Sequence, residues 1–175
     1  MTKNYRSNMI IQIDTREQCN SHIERYFIEH NQPFIRSKMY VGDYQRIDDG
    51  RFVIDKKYGL SEVYGNIVND HERFRNECIK ARDAGIKIVF LVEEKNINSL
   101  SDVAAWKNPR IKKYETLKKA KENGQGNIDL PSKPPMSSEK LMKCMITMNE
   151  KYGINWLFCK KENTAQIIID LLSAE

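Results

Sequence analysis

The chain contains no apolar run approaching the roughly 20 residues that a membrane-spanning helix requires, which argues against a membrane protein. Its first residues, Met1 to Asn8, lack the apolar core of a secretory signal and lead straight into a strand-like run, so a cytoplasmic location is expected. It has no Cys-x-x-Cys pair. The four cysteines, Cys19, Cys78, Cys144 and Cys159, lie far apart and read as reduced, mostly buried thiols rather than a disulfide framework. Cys19 and His22 have the spacing of metal ligands, but no second pair accompanies them, which argues against structural zinc. Internal repeats are absent, and no second hydrophobic unit is apparent. The surplus of one charge sign is small: a net +5 suits a nucleic-acid partner without requiring one.

What remains is an alternation of strand-like and helix-like stretches in 175 residues, enough for one self-sufficient core. Met9 to Ile13 reads as a strand ending in Asp14-Thr15-Arg16-Glu17, and Asn20 to Glu29 reads as a helix closed by Pro33. Phe34 to Tyr40 is expected as a second strand. Asp48-Asp49-Gly50 is a hairpin turn signal that folds Arg51 to Lys57 back on Tyr44 to Ile47. Helices are expected over Leu60 to Val68 and His71 to Ala84. Ile86 to Val92 is so evenly hydrophobic that it reads as a central strand covered on both faces. Residues 95–137 break this rhythm. They hold a basic stretch from Lys107 to Glu122 and then a Gly- and Pro-containing segment, and are expected to form an insertion or lid outside the core. A helix capped by Ser137 or Ser138, a strand over Ile154 to Cys159 and a helix capped by Asn163 close the chain. Strands alternating with helices indicate an α/β fold with one central sheet.

The chemistry concentrates between Val41 and Lys57. Asp43 follows Gly42, and the hairpin brings it towards Asp55 and Lys57, which strand alternation points to one face while Lys56 points to the other. Phosphodiester hydrolysis requires an activated water, neutralised charge on the phosphorus oxygens and help for the leaving oxygen; a hard divalent cation on carboxylates supplies all three. Asp43 and Asp55 are the candidate metal ligands, with Asp14 as a third carboxylate at the end of the neighbouring strand. A sparse acidic set suits Mg2+. Lys57 is placed to orient or deprotonate the water, or to stabilise the pentavalent phosphate. Arg73, Arg75 and the basic residues Lys112 and Lys113 are candidate phosphate contacts. Glu77 reads as an ordinary exposed glutamate.

Asp14-Thr15-Arg16-Glu17, Val41-Gly42-Asp43-Tyr44 and Val53-Ile54-Asp55-Lys56-Lys57, in that order, resemble the XPF-type structure-specific endonuclease family. The family pattern is Asp-x-Arg-Glu, then Gly-Asp, a spacer and Glu-Arg-Lys. The resemblance implies a restriction-endonuclease-like fold, with a central mixed sheet flanked by helices. It also implies a Mg2+-dependent endodeoxyribonuclease acting on branched, flapped or junction DNA in recombination or repair. Carried over by position, Asp43 and Asp55 bind metal, Lys57 is catalytic, Asp14 and Glu17 complete the acidic site, and Arg16 and Lys56 lie near the phosphate. Asp55 stands where the family has glutamate, Lys56 where it has arginine, and Ser61 where an acidic residue usually follows. No helix-hairpin-helix module follows in these residues. That and the small size suggest a single nuclease domain over residues 1–175 from a phage or mobile element, working in the host cytoplasm. The last helix carries apolar residues on more than one face, and the resemblance implies a homodimer through the C-terminal helices. The contrasting expectation is a catalytically silent DNA-binding or regulatory module of the same fold.

Overall fold

The computed structural model describes residues 9–174; the N-terminal segment read as leading directly into the first strand lies outside the described residues. In chain order the elements are β1 (Ile11–Ile13), α1 (Ser21–Glu29), β2 (Phe34–Arg36), β3 (Tyr44–Arg46), β4 (Asp49–Lys57), α2 (Leu60–Val68), α3 (His71–Asp83) and β5 (Lys87–Glu93). There follow a 3-10 turn (Leu100–Ala105), α4 (Pro109–Glu122), α5 (Ser138–Tyr152), β6 (Asn155–Cys159) and α6 (Thr164–Ala174). The strands form one mixed sheet in the order β2-β1-β3-β4-β5-β6. β3 runs antiparallel to both neighbours, whereas β2 with β1, β5 with β4 and β6 with β5 pair in parallel. This is the α/β, restriction-endonuclease-like arrangement expected from the sequence.

Two apolar layers sandwich the sheet, and strand alternation divides the residues between them. Ile88, Phe90 and Val92 of β5 face α2, α3 and α5, together with Val53, Phe74, Cys78, Leu141 and Met145. Val89 and Leu91 face the other way, with Ile54, Ile23 and Phe27 of α1 and Ile168 and Leu172 of α6. The run from Ile88 to Val92 is thus buried on both faces, each large side chain contributing about 1.5–3 kcal/mol.

Four expectations change. β2 stops at Arg36, because the chain must leave the sheet before Met39 and Val41 can enter the core beside Val53. The hairpin turns at Ile47-Asp48 rather than over Asp48-Asp49-Gly50. Asp49 instead pairs with Arg46 across a register shift in the ladder, and its carboxylate is taken up by the Arg51 guanidinium and backbone N–H. The segment after residue 95 is not wholly a lid: Ile97 and Val103 are buried in the core, and Ser99 and Asp102 form a capping box that starts the 3-10 turn. Only from α4 onward does it stand apart, since α4 has no buried residue. Finally, α6 does not present a bare apolar face. Its Ala165, Ile168, Ile169 and Leu172 are buried, and Ile167 and Leu171 pack partly buried on the same cluster, so the helix exposes less apolar surface than its sequence pattern suggests.

Candidate active site

The sheet topology explains why distant residues meet. β1 and β4 each lie antiparallel to β3, so their C-terminal ends share one edge of the sheet with the segment entering β3. Asp14 and Glu17 follow β1, Asp55 and Lys57 end β4, and Asp43 immediately precedes β3. The Asp43 backbone N–H donates to the Ile54 carbonyl at 2.9 Å, and its own carbonyl accepts from Asp14 N at 2.8 Å. Asp43 therefore extends the ladder on both sides while its side chain leaves it. Oδ2 accepts from the Lys56 N–H at 2.8 Å, which fixes the carboxylate against β4.

Gly42 makes this approach possible. Its φ is +73°, and an added Cβ would lie 3.1 Å from Val53 Cγ2 and 3.3 Å from the Ile54 carbonyl oxygen. The glycine thus satisfies a left-handed backbone and a close crossing over β4 together.

The resulting cleft, of about 220 Å³, is lined by Arg16, Glu17, Asp43, Asp55, Lys56, Lys57, Glu62, Arg73 and Glu77 with Gly42. Lys57 Nζ lies 2.6 Å from Asp55 Oδ1 and 3.8 Å from Glu62 Oε1, over the adjoining rings of Phe74 and Phe90. That Asp55 oxygen is buried and has an ionic partner but no aligned hydrogen-bond donor. Burial lifts the Asp43 carboxyl well above the ordinary range, and repulsion from Asp55 lifts it further, against the pull of Lys57. Glu77 is raised for the same two reasons. Burial alone would lower Lys57, but Asp55, Asp43 and Glu62 outweigh it and hold the ammonium charged.

Glu62 and Glu77 are the residues that the sequence reading missed or set aside. Glu77 lies four residues after Arg73 on α3, so both share the face that meets the cleft. Glu62 adjoins Ser61, the position where the resembling family has its further acid. Its Oε2 accepts from the Tyr58 N–H at 2.7 Å, which turns the carboxylate towards Lys57. The neighbouring Ser61 was the signal for Glu62, whereas helical spacing alone does not say which flank of α3 meets β4, so Glu77 had none.

Asp14 departs from its expected role as a metal ligand. It is fully buried and does not line the cleft. Oδ1 accepts from Arg16 N and Nε, each at 2.7 Å, and Oδ2 from Arg16 Nη2 at 2.9 Å and Met39 N at 2.7 Å. Burial would raise its pKa, but the Arg16 contacts and the Met39 N–H carry it below the usual value. Asp14 therefore anchors Arg16 and the segment before Gly42. Lys56 Nζ reaches the Cys19 carbonyl at 3.2 Å and Glu17 Oε1 at 3.5 Å, tying α1's approach to β4. Arg73 is exposed at the rim, 3.6 Å from Asp70. Lys112 and Lys113 lie on exposed α4 and do not line the cleft, but Arg110 one turn earlier stacks on Tyr64 and donates to the Ser61 carbonyl, joining α4 to the cleft-bearing α2. His22 Nε2 is engaged by Glu93 Oε1 at 2.8 Å.

Among the described residues, no three of His, Cys, Asp and Glu converge into a ready metal cage. The set nevertheless fits a divalent cation that keeps several waters and takes one or two carboxylates. Asp43 and Asp55 crowd like charges whose repulsion a cation would relieve, and one buried Asp55 oxygen lacks an aligned donor.

A search of curated protein sequences gives no match. Two solved structures of XPF from Aeropyrum pernix, one of them in complex with DNA, align with TM-scores of 0.62 and 0.61 at 13% and 14% identity. The alignments cover 94% and 95% of this chain, which spans 64% of each of those chains. The family model for the ERCC4 domain matches residues 13–171. With the same fold, and with Gly42-Asp43 and Asp55-x-Lys57 meeting in one cleft, the chain belongs to the ERCC4 domain family.

Proposed function

We propose that residues 1–175 form one nuclease unit that hydrolyses DNA phosphodiester bonds with Mg2+, or Mn2+ in its place. Branched, flapped or junction DNA in recombination or repair is the proposed substrate. The observation that carries the reading is the convergence of Asp43 and Asp55 on one cleft with Lys57 paired to Asp55. The DNA complex of the Aeropyrum pernix relative supports the choice of nucleic acid.

In this reading Asp43 and Asp55 would hold the cation, with Glu17 and Glu77 as the further carboxylates lining the cleft. The bound cation would acidify a water and neutralise charge on the phosphoryl oxygens. Lys57, kept charged by its carboxylate neighbours, stabilises the additional negative charge of the pentavalent phosphate and orients the attacking water. Arg16 and Arg73 at the rim, with Lys112 and Lys113 beyond the α4 anchor, neutralise flanking phosphates. Asp14 positions Arg16 and the chain entering Gly42, and Lys56 fixes Asp43 through its backbone N–H. No helix among the described residues is long and apolar enough to cross a membrane. A cytoplasmic role, in a host cell if the chain is phage-encoded, is part of the proposal. A homodimer through the C-terminal helices is also part of the proposal.

Incubating the protein with labelled flap, splayed-arm, four-way and linear DNAs, with and without Mg2+, tests the reading. Mg2+-dependent cleavage of a branched substrate is expected. Binding without cleavage of any substrate would instead favour a catalytically silent module.

A further inference from the structure

A second concavity, larger than the acidic cleft, is a groove of about 530 Å³ between α3 and α5, on the other flank of α3. Its walls are apolar: Ile67, Phe74, Met136, Met148 and Tyr152. Its rim is cationic, with Arg75 from α3 and Lys140, Lys143 and Lys151 from α5, and no lining residue is acidic. The neighbouring cleft differs in being mixed, with Glu17, Asp43, Asp55, Glu62 and Glu77 facing Arg16, Lys56, Lys57 and Arg73. Arg75 is half-buried, and its Nε is shielded from solvent with no hydrogen-bond partner. A buried donor of this kind is costly unless something binds to it. Phe74 joins the two sites: it lines the groove, and its ring centroid lies 5.5 Å from Lys57 Nζ.

We propose that this groove holds a single-stranded nucleic-acid segment. Its phosphates meet Arg75, Lys140, Lys143 and Lys151, and a base enters the apolar recess beside Phe74 and Tyr152. A basic track over an apolar recess, backed by the buried rings of Phe74 and Tyr152, suits a strand whose bases are unpaired. Duplex DNA keeps its bases stacked and offers the recess nothing to bury. An acidic peptide matches the charge, but has no flat apolar group for each anion. The inference rests on the nucleic-acid reading of the cleft. It adds where an unpaired strand lies when a junction is engaged, and so a reason for preferring branched substrates.

Cys144 lines the groove and is half-buried, so it reports occupancy. Cys78 and Cys159 are buried, with the Cys78 thiol pushed up to about 12 by burial, which leaves Cys19 as the exposed internal reference. Alkylation at each cysteine is followed by peptide mapping in EDTA, with oligothymidylate, the matching duplex, poly-glutamate or inorganic phosphate added. Oligothymidylate is expected to slow labelling of Cys144 several-fold while leaving Cys19 unchanged. Equal protection by duplex, poly-glutamate or phosphate would overturn the assignment, as would no protection at saturation. In parallel, Lys140→Glu/Lys143→Glu should weaken oligothymidylate binding roughly tenfold or more. It should also flatten the logarithmic salt dependence by about 0.7 per lost phosphate contact. The same charge change at exposed Arg25 and Lys38, remote from the groove, should cost little; an equal loss there would contradict the proposal. Because the footprint needs neither metal nor cleavage, failure of the groove and failure of the nuclease reading give different results. The Asp43→Ala protein should retain the footprint.

Discussion

Lys57 Nζ stands 2.6 Å from Asp55 Oδ1, two residues apart on one strand, with both side chains almost wholly removed from water. Strand alternation makes the pair possible, and the rings of Phe74 and Phe90 close over the ammonium. A buried pair of this kind is costly to break from one side, because the remaining charge has no solvent to turn to. Lys57→Met should therefore destabilise the fold in EDTA by about 3 kcal/mol, the low end for a broken buried pair. Mg2+ should restore part of that loss while cleavage remains abolished. Urea unfolding with and without Mg2+ checks this, and equal stability of the two proteins in EDTA would contradict it.

Gly42 carries the geometry that brings Asp43 to the cleft. Gly42→Ala forces a side chain into a left-handed backbone against Val53 and the Ile54 carbonyl, at a cost of about 1–3 kcal/mol. The expected result is a lower urea midpoint together with a cleavage defect, because relief of the clash moves Asp43 off the Lys56 N–H. A folded Gly42→Ala protein of wild-type activity would show that the tight crossing is dispensable.

Ser61 and Glu62 distinguish a lost acidic position from a displaced one. Glu62 faces Lys57, whereas Ser61 is exposed and does not line the cleft. Glu62→Gln should lower the cleavage rate roughly tenfold, within the range for a residue that supports metal-site chemistry, and Ser61→Ala should leave it unchanged. Rates measured at saturating DNA decide between the two, and a reversed ranking would refute this assignment.

The raised carboxyls of Asp43 and Glu77 give stability a definite pH slope. Each group holds its proton to higher pH in the folded state than in the unfolded chain. Without metal, their contribution therefore favours the fold below the unfolded carboxylate pKa and is lost as pH rises through the raised values. Asp14 has the opposite sign: its lowered pKa stabilises above the ordinary value and is lost in stronger acid. Divalent cations compete for the deprotonated forms and should offset the loss from Asp43 and Glu77. Thermal unfolding of wild type and Asp43→Asn/Glu77→Gln between pH 4 and 8, in EDTA and in Mg2+, reads this out. A wild-type slope that the double substitution leaves unaltered would rule out these two groups as its source.

Much of the architecture was legible because period and chemistry agreed. Even burial of Ile88 to Val92 required a covered strand, and the alternation of Val53, Asp55 and Lys57 selected one face correctly. Where the sequence misled, a local bond had outbid a general preference. Asp49-Gly50 has the chemistry of a turn, but Asp49 is held in the ladder and clasped by Arg51. Asp14 has the position of a ligand, but Arg16 and Met39 occupy its oxygens. Glu77 was hidden because its function depends on which flank of α3 meets β4, a tertiary fact that helical spacing alone leaves open. The core role of Ile97 and Val103 was masked by the polar residues around them.

The central claim is that Asp43 and Asp55 together hold the cation that cleavage needs. Asp43→Asn is its most direct test, because the amide oxygen can still accept from the Lys56 N–H and preserve the fold while the ligand charge is lost. The measurement is the single-turnover cleavage rate of wild type and Asp43→Asn on a flap substrate across a Mg2+ titration. Wild type should rise to saturation with Mg2+, and Asp43→Asn should stay more than roughly 100-fold slower throughout, beyond the usual cost of losing a group that merely supports a ligand. An Asp43→Asn protein cleaving within twofold of wild type, with an unchanged Mg2+ dependence, would contradict the account.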